Sequence, residues 1–329
     1  METLLLDTDA VERHTPMPAV VAAVEDAFAA HADGDVVMPS KTYVDLPTDD
    51  GDFRAMPAYV DAGDWRGAGC KWVNVHPHNR ERFEMPTVMA TMVLSDPQNG
   101  FPTALLDGTP LTAVRTGAAA AVATDYLAVA DADSFGVVGA GVQASTQLTA
   151  VATVRDVSEV VVADRDAERA AAFADAHGDE FDVRAGTIAE AGHCDVLSTV
   201  TPVEEPIVGA DDVGPETHVN AIGADAPGKH ELADELLTGA KIVVDDREQA
   251  THSGEINVPY AAGVLDDADV HATVGEVVTG RATGREPADG VTVFDSTGLA
   301  IQDVAAAHVA YERATAAGDG EPAGLLDLG

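Results

Sequence analysis

Apolar positions along this chain follow two textures, and the change between them falls at residue 135. Before it, residues 18–32 (PAVVAAVEDAFAAHA) carry helical apolar spacing, and an Ala-rich stretch at about 111–128 predicts a second, longer helix. Between them lie short strand-like runs near 42–46, 53–60, 68–75, 87–94 and 102–107, separated by Gly, Pro and Asp turns. Strands so closely spaced, with so little helix among them, predict an antiparallel or mixed sheet.

From residue 135 the pattern alternates. FGVVGAG reads as a strand entering a glycine turn, 143–154 as helix, 159–163 as a strand headed by Glu159, and 166–176 as helix. Further strands fit 195–199, 218–222, 241–245 and 291–296, and a helix fits 299–317. This alternation predicts βαβ units and a parallel sheet, hence an α/β protein. The last helix is placed to pack back on the first domain. The final dozen residues (GDGEPAGLLDLG) are expected to be loose.

Composition changes the picture in two ways. The chain has 329 residues and a formal charge of −39, with 57 acidic residues against 18 Lys plus Arg. Because 46% of residues are hydrophobic and the acids are scattered, the composition is that of a folded, acid-coated protein rather than a disordered one. Such a coat suits a halophilic protein, whose self-repulsion is screened by concentrated salt. It argues against nucleic acid or an anionic membrane as partner. The two cysteines, Cys70 and Cys194, match no metal spacing and suit a reducing, cytoplasmic compartment. METLLLDTDAVERH lacks a signal-peptide pattern, and no apolar run reaches the length of a membrane span.

Gly139, Gly141 and Ala144 form G-x-G-x-x-A directly after a strand and before a helix. The first glycine permits the tight turn, the second lets backbone approach a pyrophosphate, and Ala144 allows close helix–strand packing. Asp164 ends the following strand, where an acid accepts the adenosine ribose hydroxyls and favours NAD over NADP. Arg165, next to it, is either a solvated helix-start residue or a contact for a 2′-phosphate. The loop after strand 218–222, from Ile222, Gly223 and Ala224 to Asp225 and Lys229, occupies a strand C-terminal end, where ligands bind in such sheets. Asp225 is expected to face the nicotinamide end.

Lysine is nearly absent, with only Lys41, Lys71, Lys229 and Lys241. A chain that has all but removed lysine from its surface points to the few it retains. Lys41, Arg54 and Lys71 lie on the strand-rich first part and suit a carboxylate-bearing substrate. Lys71 lies between Cys70 and Trp72 inside a strand, and a buried lysine among cations has a lowered pKa, which fits it for proton transfer. Arg115, early in the long helix, reads either as a salt-bridge residue or as a phosphate contact. His76 and His78 (HPHN) have no third ligand and read as loop residues, so no metal site is expected.

MPSKTY, KWVNVHP, VRTGAAAA, VVGAGVQA, NAIGADAPGKHELA, VVDDREQATHSGEIN, VHATVGEVVTGRATGRE and FDSTGLAIQD together resemble the ornithine cyclodeaminase/μ-crystallin family over nearly the whole chain, and within it the archaeal-type alanine dehydrogenases. The resemblance implies a Rossmann-type doubly wound, NAD-binding domain over 117–303. It also implies an α+β substrate and dimerisation domain formed from both termini, 1–116 and 304–329, in a homodimer. Lys41, Arg54 and Lys71 match substrate-contacting positions, with Lys71 the proton-transferring group and Asp225 a catalytic aspartate. Thr87, Arg115, Val142, Gln143, Asp164, Thr201, Lys229 and Ser296 match cofactor-contacting positions.

One departure discriminates within the family. Arg54 stands, in FRAMP, where the cyclodeaminases carry a glutamate suited to the side-chain ammonium of ornithine. A guanidinium repels that ammonium and clamps an α-carboxylate. The expected activity is therefore NAD-dependent oxidative deamination of L-alanine to pyruvate and ammonia. The alternatives are ornithine cyclodeamination, imine reduction, or a crystallin-like nucleotide-binding protein without turnover.

Overall fold

The computed structural model describes residues 2–326. Its first elements are β1 (Thr3–Leu6), α1 (Thr8–His14), α2 (Met17–Asp33), β2 (Val36–Val37), β3 (Thr42–Leu46), β4 (Gly51–Asp61), β5 (Arg66–Val75), α3 (Asn79–Phe83), β6 (Val88–Ser95) and β7 (Pro102–Asp107). Helix α4 (Gly108–Leu127) leads to β8 (Ser134–Val138), α5 (Val142–Val151), β9 (Glu159–Ala163), α6 (Ala167–His177), β10 (Asp182–Ala185), α7 (Ile188–Gly192), β11 (Val196–Thr199) and β12 (His218–Ala221). Then follow α8 (Asp234–Thr238), β13 (Lys241–Val244), α9 (Arg247–Ser253), α10 (Asn257–Ala261), β14 (Val270–Thr273), α11 (Val274–Val278), β15 (Thr292–Asp295), α12 (Ala300–Ala317) and β16 (Glu321–Ala323). Two compact units result, Met1–Arg115 with Leu299–Gly329, and Thr116–Gly298. The returning segment thus joins the first unit at Leu299 rather than at 304, and Gln302 and Asp303 lie within that unit.

In the first unit the sheet order is β16-β1-β7-β6-β5-β4-β2, with β3 also on β4. Only β1 and β7 pair in parallel, so the sheet is mixed. Alternation along β4 buries Arg54, Met56, Ala58 and Val60 on one face. Register then aligns Met56, Lys71, Met92 and Leu106 across four strands, all buried. A lysine thus stands in a row of core positions. Helix α12 packs on this face and against α2. Its buried side is rich in alanine, with Ala300, Ala305, Ala306, Ala307, Ala310 and Ala314 beside Ile301, Gln302, Asp303 and Val304. Gly67 completes the close approach, since a Cβ there would come within 2.8 Å of Val304 Cγ1.

In the second unit eight strands run in the order β10-β9-β8-β11-β12-β15-β13-β14, and every pair is parallel. Successive strand residues feed opposite cores. Val137, Val160 and Val162 pack with Leu148 of α5 and Phe173 of α6, while Val138, Val161 and Ala163 pack with Ala191 of α7 and Leu236 of α8. The sheet is therefore covered on both faces and doubly wound, as in a Rossmann fold. The strand order reverses between β8 and β11, at the end of β8 that enters the glycine turn.

One sequence expectation changes. The tail expected to be loose, whose residues 327–329 lie outside the described ones, contains β16, which pairs antiparallel with β1 through Leu4–Pro322 and Leu5–Glu321. Nothing in Glu-Pro-Ala favours a strand; the open edge of β1 imposes it. Strands β1, β10 and β14 and the short helices α1, α7, α9, α10 and α11 also lacked a readable period, being only four to seven residues long.

Gly136 in β8 has no room for a side chain, because a Cβ would lie 1.9 Å from the Ala191 carbonyl oxygen. Gly136→Ala is expected to destabilise the protein by at least roughly 1–3 kcal/mol. A lowered denaturation midpoint in concentrated KCl checks this.

Candidate active site

The inner face of the first unit's sheet collects charge where a core should be apolar. Lys71, on β5, is 1% exposed and its Nζ donates to Asp303 Oδ1 at 2.8 Å. Arg115 Nε, from α4, donates to the same oxygen at 3.0 Å, and its Nη1 donates to Gln302 Oε1 at 2.9 Å. Asp303 itself is wholly buried. Burial pushes the Lys71 ammonium down to about 7; Asp303 opposes this, and the positive charges of Arg115 and Lys41 add to it. The neutral amine is therefore within reach near neutrality. Arg54 emerges from the same face of β4, one register pair along, since Arg54 pairs with Val73 and Met56 with Lys71. Its Nε donates to Asp52 Oδ1 at 2.8 Å and its guanidinium lies 5.2 Å over the Tyr43 ring. Lys41 is half-buried just ahead of β3, and Thr87 is half-buried just ahead of β6, with its carbonyl accepting from His76 N at 2.8 Å.

In the second unit the strand–turn–helix of β8 and α5 has an open backbone edge. Gly139 has φ 103°, and a Cβ there would come within 3.0 Å of Thr201 Cγ2. Gly141 caps α5 without a side-chain bond, and a Cβ on it would meet nothing within 4 Å. Ala144 is fully buried in the core beneath. The Asp164 carboxylate is tied to the turn, its Oδ2 accepting from Ala140 N at 2.7 Å and its Oδ1 from Asp166 N at 2.8 Å. Arg165 beside it is exposed. Val142 is 71% exposed, and Gln143 Oε1 is buried without a hydrogen-bond partner. An open helix N-terminus and a glycine without a neighbour fit a bound dinucleotide pyrophosphate.

Buried carboxylates knit the neighbouring strand ends together. Glu231 Oε1 accepts from Thr201 N and Oγ1 at 2.8 and 2.6 Å, while Oε2 accepts from Thr199 Oγ1 at 2.8 Å and Gly223 N at 2.9 Å. Burial raises its pKa, and the four hydrogen bonds oppose that rise. Glu255 Oε1 accepts from Glu231 N and Leu232 N, and burial, then the charge of Glu231, hold its carboxyl well above the usual range. In the loop after β12, Ile222 and Ala224 are buried, and Lys229 pairs with Asp225. After β15, Ser296 Oγ donates to Asp245 Oδ2 at 3.4 Å, and the same oxygen accepts from Thr297 N and Gly298 N.

The expected residues therefore separate by unit. Lys71 and Arg115 meet on Asp303, with Arg54 on the same sheet face and Lys41 close enough to affect the Lys71 charge. Arg115, one of the residues weighed as a phosphate contact, directs Nε and Nη1 at Asp303 and Gln302. Gly139, Gly141, Asp164, Thr201, Ile222, Gly223, Ala224, Asp225, Lys229 and Ser296 all lie in loops that follow parallel strands, and Val142 and Gln143 open α5 after one of these loops. The carboxylate bonded to Lys71 is Asp303, and Asp225 takes Lys229. Asp303, Gln302 and Glu231 were not singled out from the sequence. The available signal for Asp303 was a carboxylate inside the alanine stripe of an otherwise buried helix face.

A glycine turn at the strand-order switch of a doubly wound sheet, in a chain that also buries a lysine–arginine–carboxylate cluster in a separate unit, defines a Rossmann-type α/β protein. The chain belongs to the ornithine cyclodeaminase/mu-crystallin family, whose model matches residues 1–318. It is 48% identical over 317 residues to the alanine dehydrogenase of Archaeoglobus fulgidus, covering 95% of this chain and 96% of that protein. Its structure is similar to an archaeal alanine dehydrogenase dimer with bound NAD, with a TM-score of 0.94 and 47% identity over 99% of this chain and 100% of that one. It is also similar to the Δ1-pyrroline-2-carboxylate reductase of Thermococcus litoralis in complex with NADH and L-proline, with a TM-score of 0.92 and 35% identity over 97% and 99% of the two chains.

The lowered Lys71 pKa has a consequence for stability. The unfolded chain binds this proton up to a pH near 10.5, the folded chain only up to about 7. Lys71 thus contributes no penalty above pH 10.5 and its full penalty below 7, so its burial weakens the fold as pH falls through that window. The stability of Lys71→Met relative to wild type should therefore rise by roughly 3–5 kcal/mol between pH 10.5 and 7 and stay constant below. Denaturant titrations of both proteins across this range read the difference.

Proposed function

We propose that this chain is an NAD-dependent oxidoreductase acting on the Cα–N bond of a small amino acid, and that its reaction is the reversible oxidative deamination of L-alanine to pyruvate and ammonia. The observation that carries the reading is a buried lysine, its pKa pushed down to about 7 by burial, on the same sheet face as Arg54. The 48% identity to an alanine dehydrogenase supports it. In this reading Lys41 and Arg54 hold the substrate carboxylate. Gly139, Gly141, Val142 and Gln143 hold the dinucleotide phosphates, and Asp164, with Arg165 beside it, meets the ribose. Thr201, Ile222, Gly223, Ala224, Asp225, Lys229 and Ser296 line the nicotinamide side, with Thr87 and Arg115 as further contacts. When bound, NAD supplies the acceptor for the Cα hydride.

Lys71 supplies the proton chemistry. An ammonium has no lone pair with which to form C=N, so the substrate amine must first give up a proton, which neutral Lys71 accepts. Lys71 releases that proton to solvent, which is the proton of the overall balance, and in its neutral form takes a proton from the water that adds to the imine carbon and returns it to the departing ammonia. The balance is alanine, NAD⁺ and water to pyruvate, ammonium, NADH and a proton. Arg54 argues against ornithine, whose second ammonium it would repel.

A second reading has its own support, the 35% identity to a Δ1-pyrroline-2-carboxylate reductase bound to NADH and L-proline. Its substrate shares with the alanine imine a C=N bond beside a carboxylate, so the same cations and the same lysine would serve. NADH formation from L-alanine in molar KCl, with neither NADH nor ammonia released from L-ornithine, is the expected result. Lys71→Ala should lower kcat by about 10²–10⁴-fold while NADH binding persists. Arg54→Glu should raise KM for alanine by about 100-fold, the loss of a charge-assisted carboxylate contact. Reduction of Δ1-pyrroline-2-carboxylate with negligible alanine turnover would install the second reading instead.

A homodimer belongs to the same proposal. The outward face of β4, β5 and β6 carries no charged residue between Phe53 and Tyr59, Ala68 and Asn74, or Met89 and Ser95, in a chain of net charge −39. Trp72 is 43% exposed there and stacks on Phe53 at 5.0 Å. An uncharged sheet face on so acidic a protein is what self-association requires. Val93→Arg, in the middle of that face, should convert the dimer to monomer in light scattering. An unchanged mass would place the interface elsewhere.

A further inference from the structure

Asp303 does more than neutralise a buried cation. It occupies the first turn of α12, wholly buried between Gln302 and Val304 in an alanine-rich face. Oδ1 receives both Lys71 Nζ and Arg115 Nε, whereas Oδ2 is buried with no hydrogen-bond partner. Gln302 holds Arg115 a second time through Oε1, which also accepts from Leu299 N at 3.2 Å. A single helical turn thus orients both cations. Stability alone does not call for this arrangement, because a buried ion pair is commonly no better than apolar packing of the same volume.

The geometry constrains the lysine in both of its charge states. An ionised carboxylate only accepts hydrogen bonds. A neutral Lys71 must then point one N–H at Oδ1, which directs its lone pair away from Asp303. A protonated Lys71 keeps the same bond and turns its remaining N–H groups the same way. Nζ therefore holds one position through a cycle of taking and giving a proton. The other groups acting on it are Arg115 and Lys41, both cationic, and Met56 and Met92 beside it in the sheet are apolar.

We propose that Asp303 is the positioning residue for Lys71, aiming its lone pair at the substrate nitrogen and at the attacking water in the reaction proposed above, on which this role rests. Asp303→Asn removes the charge that favours the ammonium, and Asp303→Glu keeps that charge but displaces Nζ by a methylene. The two variants therefore separate charge from orientation.

With only four lysines, ¹³Cε-lysine-labelled enzyme gives a spectrum in which Lys71 is assigned by its loss in Lys71→Met. In Asp303→Asn the Lys71 titration and the acidic limb of kcat/KM should both move to lower pH, and kcat should fall by about 10–100-fold. NADH affinity should fall by much less than kcat, because Asp303 also holds Arg115, one of the proposed cofactor contacts, while its effect on Lys71 bears on the chemical step. In Asp303→Glu the titration should stay near that of wild type while kcat falls about tenfold or more. Wild-type kcat in either folded variant would overturn the assignment. So would parallel losses of thermal stability and NADH affinity with an unmoved pH profile. Should Asp303→Asn not fold, Asp303→Glu decides by the same criteria. A Lys71 titration that moves in Asp303→Asn, in an enzyme that converts neither amino nor imino acids, would overturn the proposed reaction and leave the Lys71–Asp303 coupling standing.

Discussion

Placing an ammonium in a protein core is among the most expensive things a strand can do, and β5 does it at Lys71. Removing water from the charged form costs several kcal/mol unless a counter-charge meets it with good geometry. Here Asp303 is that counter-charge, and it is distant in sequence by most of the chain. The first unit can therefore close only when its C-terminal helix returns. The return in turn needs the small residues of α12 and the missing Cβ of Gly67 against Val304. A glycine in a strand, an alanine stripe on a helix and a lysine in a core row are parts of one constraint.

The second unit solves a different problem with the same residue type. Loops at the ends of parallel strands leave backbone N–H groups without sheet partners. Glu231, Glu255, Asp245 and Asp295 accept them, Asp295 by way of Glu255 N and Ile256 N. These buried acids differ in kind from the many on the surface. Surface carboxylates interact through solvent, where salt screens them, while the buried four act at hydrogen-bond distance, beyond the reach of that screening. A protein can thus coat itself with acid and still use carboxylates as internal fasteners. Lys241 is a fastener of the opposite sign, holding Gly284 O and Asp289.

Much of the architecture was legible because period and punctuation agreed. The alternation from residue 135 onwards, the glycine turn at Gly139–Gly141 and the acid at Asp164 each follow from local chemistry, and they sit together in the structure. The short elements were not legible. Strand β10, the helices α7 and α9–α11, and β16 are too short for a period, and β16 exists because β1 presents an edge. Among the charged residues, scarcity marked Lys71 as unusual, yet no spacing rule could pair it with a residue more than two hundred positions away.

The sequence by itself determined the kinds of residue and their local settings: a βαβ half with a phosphate-sized turn, a strand-rich half with a few cations, and an acidic coat. Those follow from propensity, periodicity and composition, which act over a few residues at a time. Only the tertiary structure decided the partners. It bound Lys71 and Arg115 to one oxygen of Asp303, gave Asp225 to Lys229, and joined Thr201 to Gly223 through Glu231. The reason is physical. A pKa, a lone-pair direction and a hydrogen-bond count are set by desolvation and by neighbours at hydrogen-bond distance, and those neighbours are chosen by packing rather than by order along the chain.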